Sequence, residues 1–131
     1  MKPKTTLTIT AFFGLVFSLV MFVAPEFITR EQFPNSEGQG FTDLVTVRYA
    51  IASLILALVI ITYHLRNIEG LAFQANIMRG YTLAFSVVCI TTLVLQISGK
   101  ISAVPPIVGT GLVAALSFVS WRSLAKGSDQ N

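Results

Sequence analysis

The chain has one cysteine, Cys89, and one histidine, His64, among 131 residues. A lone cysteine excludes an internal disulfide and every multi-cysteine metal or cluster site. Placed inside an apolar run, Cys89 reads as a small packing residue. A lone histidine excludes bis-histidine haem ligation within one chain, and His64 sits at the end of an apolar run, where it is interfacial. Charge is scarce at 11% of residues. None of the six acidic residues falls inside an apolar run, so the intramembrane carboxylate used by proton pumps and ion-coupled carriers is missing. Paired carboxylates, a nucleophile with a nearby base, a metal-ligand cluster and a phosphate-binding loop are missing too. That argues against catalysis by this chain alone.

What the chain has instead is apolar length. Hydrophobic residues make up 53% and the mean hydropathy is +0.74, too little polarity to cover a soluble surface. Four runs stand out: Leu7–Ala24, Val45–Tyr63, Gly80–Ile97 and Ile101–Trp121. Gly80–Ile97, with 18 residues, makes a helix of about 27 Å, close to a hydrocarbon core of about 30 Å. The expected fold is all-α: an integral membrane four-helix up-and-down bundle forming one domain over 1–131. Its helices are expected near 7–24, 45–63, 78–97 and 101–121, with an outer loop over 25–43 and a cytoplasmic elbow over 65–77. The first run is longer than a signal-peptide core and has Phe22 where cleavage favours a small residue, so it reads as a retained helix.

Basic residues orient the bundle. Lys2, Lys4, Arg66, Arg79, Arg122 and Lys126 fall on one side; Arg30, Arg48 and Lys100 fall on the other. The bias predicts both termini in the cytoplasm. The net charge of +3 is therefore a topology signal rather than a nucleic-acid surface. Arg66 and Arg79 flank the elbow and are expected to contact lipid headgroups.

Within the spans, Thr10, Gly14 and Ser18 repeat every four residues and make a small-residue track for another helix. Ala50, Ser53 and Ala57 suggest a second such face, and Gly111 with Ala115 a third. The outer loop mixes Phe27, Phe33 and Phe41 with charges, as a segment lying on the membrane surface or capping the bundle does. Arg48 is the one charge inside a run, about a turn from its outer end. It is placed to snorkel to phosphate, pair with Asp43 or a loop glutamate, or anchor an anionic ligand. Tyr49 shares its belt, and Gln96 lies at a similar depth. Pro105-Pro106 either opens the last helix or bends it near the outer surface. Arg48, Gln96, Tyr49, Pro105 and Pro106 are therefore the candidate ligand-binding residues, all toward the outer mouth; no residue is a catalytic or metal candidate.

The turn Pro25-Glu26-Phe27 after the first helix and the segment Val47-Arg48-Tyr49-Ala50 opening the second resemble small four-helix bacterial membrane proteins of the DoxX-like kind and their uncharacterised relatives. That resemblance spans nearly the whole chain. It implies association with quinol oxidation or with partner redox enzymes, and it would make Arg48 the residue carried over. Two functional readings result. One is a structural or accessory membrane subunit without catalysis, meeting lipids and a protein partner or a second copy of itself. The other is a module binding quinone, lipid or another small molecule, with quinone as its cofactor if redox-linked. Nucleic acid is not an expected partner.

Overall fold

Pro3 opens α1 (Pro3–Val23), at a position whose missing N–H has no helical partner to lose. Pro25 repeats the device one helix later, opening α2 (Pro25–Gln32) immediately after the Ala24 break. Three longer helices follow, α3 (Gly38–Leu65), α4 (Leu71–Ile97) and α5 (Val104–Ser128). The computed structural model describes residues 2–128. The Lys126 side chain and the polar tail expected over 127–131 lie outside the side chains it describes. No strand occurs among the described residues. Four of the helices are long and apolar enough to cross a membrane, so the chain is a multi-pass, all-α integral membrane bundle.

The connections are shorter than the sequence suggests. The outer segment 25–43 is not one loop, because α2 occupies its first half and α3 already starts at Gly38. Local side-chain bonds support this early start. Gln39 Nε2 donates to Asp43 Oδ1 at 2.7 Å, and Thr46 donates to the Thr42 carbonyl at 3.0 Å. The elbow expected over 65–77 shrinks likewise. Gly70, at φ 101°, supplies the left-handed backbone that ends it, and Gln74 N–H closes the first turn of α4 onto the Gly70 carbonyl at 3.0 Å. At 28 and 27 residues, α3 and α4 reach about 42 and 40 Å, beyond the hydrocarbon core at their ends.

The last helix starts at Val104 rather than Ile101, and its tandem proline stands in the first turn. First-turn N–H groups have no carbonyl to meet, so Pro105 and Pro106 break nothing there. The Ile107 N–H donates to the Ala103 carbonyl at 3.2 Å and the helix proceeds. The tandem proline thus opens the helix, the first of the two alternatives, and the start expected near 101 is corrected to Val104.

Packing runs α3 on α1, α1 on α5 and α5 on α4, with α2 laid over α3 and α1. Between α3 and α4, Thr62 and Tyr81 share a hydrogen bond through their hydroxyls. The α1 track does face a helix. Ser18 Oγ donates to the Ala52 carbonyl of α3 at 2.8 Å, and both residues are fully buried. A Cβ on Gly14 would come within 2.7 Å of Val59 Cγ2, so hydrogen is the side chain that this approach admits. The expected small face of α3 is corrected: Ala50, Ser53 and Ala57 are exposed, and Ala52 is the residue at the seam. Arg48, Ala52, Ile55, Val59 and Thr62 alternate steps of four and three, which keeps one stripe toward α1 and α2. On the other flank, Gly111 packs against Cys89, whose thiol points to the Ile107 carbonyl at 3.6 Å.

The seam between α1 and α5 is polar. Thr6 and Ser120, both fully buried, bond hydroxyl to hydroxyl at 2.5 Å. One turn further along each helix, Thr10 Oγ1 and Ser117 Oγ are sealed with no partner.

Candidate binding site at the α2 end

Arg48 lies ten residues into α3, about 15 Å from its start, and is only 6% exposed. A short helix roofs it. Thr29, fully buried on α2, donates its hydroxyl proton to the Pro25 carbonyl at 2.8 Å. Its lone pairs are thereby left for Arg48, whose Nε approaches at 3.4 Å, a long and weak bond. Phe33, just beyond α2, presents its ring to the guanidinium at 5.5 Å. No carboxylate joins them: among the described residues, Thr29 and Phe33 are the side chains that Arg48 engages. Asp43 instead takes the Gln39 amide. The two Arg48 amino groups make no bond among the described residues and are not among the sealed atoms, so they keep a path to the surroundings.

Phe33 also borders a cavity of about 240 Å³, open on one side. It lies between the α2–α3 and α4–α5 connections, with Asn35, Ser36, Lys100, Ile101 and Ser102 on its walls. The two connections are tied by Ser102 N–H donating to the Gln32 carbonyl at 2.9 Å. Next to it, the Ala103 N–H donates to Gln96 Oε1. Gln96 thus holds the turn between α4 and α5, and α2 links it to Arg48: Arg48 bonds Thr29 in the middle of α2, and Gln32 at its end bonds the turn that Gln96 holds.

The remaining candidates are placed as follows. Tyr49 is 46% exposed, with its ring 6.4 Å from Phe22. Pro105 is exposed and Pro106 half-buried in the first turn of α5. Arg66 and Arg79 stand at the other end, over Tyr63 at 3.7 Å and Trp121 at 5.9 Å. Thr29, Phe33, Lys100 and Ser102 are the site residues that sequence reasoning missed. The available signal was Thr29 and Phe33, four apart after a proline that opens a helix. No group of three or more His, Cys, Asp or Glu side chains gathers among the described residues.

The Gln96 bond sets a first prediction. Gln96→Leu removes the acceptor for a half-buried backbone N–H, which costs about 1–3 kcal/mol. A lower Tm is expected in Gln96→Leu, while Gln96→Glu, which keeps the acceptor, should recover most of it.

The fold defines a multi-pass helical membrane protein in which α2 roofs Arg48 near one end. Comparison with protein-family profiles, curated proteins and solved structures gives no match. The resemblance to DoxX-like proteins rests on the residues quoted for it.

Proposed function

We propose that this chain is an accessory membrane protein that binds rather than converts. Its α2 end holds the polar head of an amphiphile, a lipid or a quinone, against Arg48. The lysine and arginine bias favours both termini cytoplasmic, which turns this mouth outward, and the resemblance to DoxX-like proteins favours a bacterial inner membrane.

One observation carries the reading: Arg48, a residue only 6% exposed, has no carboxylate of the described residues beside it. Removing a cation from water costs several kcal/mol even after relaxation, and one long bond to a hydroxyl recovers little of that. An oxygen from outside the chain completes the account. Phosphate, carboxylate and quinone carbonyl all accept from the free amino groups of Arg48. The neighbouring cavity, with Lys100 on its wall, gives a head room to sit.

Organic extraction of protein purified in mild detergent, followed by mass spectrometry, tests the reading. A stoichiometric amphiphile is expected from the unaltered chain and a several-fold lower occupancy from Arg48→Ala. Equal occupancy in the two would remove Arg48 from the site.

A further inference from the structure

The opposite end of the bundle carries a second anion site, independent of Arg48. We infer that Lys4 and Arg66 together bind a phosphate group there.

Arg66 follows α3 directly and lies with its guanidinium 3.7 Å from the centroid of the Tyr63 ring. Its Nε–H is buried without a partner among the described residues, and Arg66 lines a cleft at this end. Lys4, on the first turn of α1, lines the same cleft. So does Gln74 of α4, whose amide is turned away to bond the Ile68 carbonyl at 3.0 Å. Leu7 and Met78, at 2% and 0% exposure, form an apolar floor. The cleft holds about 10 Å³, room for roughly one oxygen atom, and no carboxylate of the described residues lines it. Neither Lys4 nor Arg66 makes an ion pair with any described residue.

The helix ends add no net charge of one sign, because α1 and α4 begin at this end while α3 and α5 finish there. Two cations and a buried, unpartnered guanidinium N–H thus border a cleft with no carboxylate of the described residues on its walls. Phosphate oxygens satisfy the Arg66 donor and pair with Lys4. The apolar floor beside them suits a phosphate carried on an acyl chain, and a free phosphate offers the same oxygens.

Purified protein in neutral phosphatidylcholine nanodiscs, followed by Trp121 fluorescence during heating, separates these sources. One arm replaces a third of the lipid with phosphatidylglycerol; the other adds inorganic phosphate at constant ionic strength. A higher Tm with phosphatidylglycerol alone identifies a lipid phosphate, and a rise in both arms identifies a site open to free phosphate. Lys4→Ala and Arg66→Gln should each weaken the apparent affinity about fivefold, as expected for one basic residue at an anionic surface. Lys4→Arg and Arg66→Lys, which keep the charges, should retain most of it. A Tm unchanged in both arms overturns the inference. So does an equal loss in Arg122→Gln, which removes a cation of the same end outside the cleft. Either failure leaves the reading of Arg48 untouched.

Discussion

Arg48→Met is expected to raise the stability of the ligand-free protein while abolishing its response to ligand. The sign follows from what surrounds the guanidinium. In the empty protein Arg48 is a buried cation held by one long hydrogen bond and one aromatic face. Exchanging buried ionic groups for apolar ones of similar volume is often stabilising, by about 1–4 kcal/mol. Methionine fills much of the same space, and Thr29 loses nothing essential because its hydroxyl still donates to the Pro25 carbonyl. With the amphiphile bound, the order reverses, since the ligand stabilises only the form that binds it, by about 2.7 kcal/mol at a hundredfold excess over Kd. Thermal unfolding of delipidated protein, with and without the extracted amphiphile, reads both effects. A Met variant less stable than the parent in both conditions would show that Arg48 is needed for the fold itself.

Gly14→Leu is expected to separate α1 from α3. Even the first carbon of a side chain there meets Val59 Cγ2 at 2.7 Å, and β-branched Val59 has few rotamers with which to retreat. Overpacking of this kind costs about 1–3 kcal/mol and more where backbones must part. The Ser18–Ala52 bond, one turn away, would be strained by the same movement. Gly80 and Gly109 are the internal controls, because a Cβ on either meets nothing within 4 Å. Alanine there should stabilise by up to about 1 kcal/mol through helix propensity. Denaturation in mixed micelles should therefore show Gly14→Leu falling while Gly80→Ala and Gly109→Ala hold or rise. Similar losses at all three glycines would remove close approach as the reason for Gly14.

The four spans were legible because a bilayer demands about 20 apolar residues in a row, and few other structures do. Helix α2 was not. It has eight residues, too short for a periodic pattern to emerge, and its helical state comes from Pro25 at its start and packing on α3 and α1. The start of α3 was hidden for a different reason. Gly38-Gln39-Gly40 reads as a turn, yet the Gln39–Asp43 bond and the Arg30 guanidinium 4.7 Å from the Phe41 ring hold it beside α2. Small residues on α3 misled because lipid accepts them as readily as a neighbouring helix does, so Ala50, Ser53 and Ala57 announce no direction. Of the site, Arg48 stood out as a charge within an apolar run. Its roof did not, because Thr29 and Phe33 reach it only through the fold of the intervening chain.

The hydroxyl contact between Thr6 and Ser120 joins residues 114 positions apart in sequence. During synthesis α1 is therefore made well before its partner on α5. Until then the polar face of α1 stands uncovered, and the hairpin of α4 and α5 covers it on docking. A loosely apolar contact would let that hairpin dock at any rotation. Hydroxyls that find one another only in one register make that docking selective.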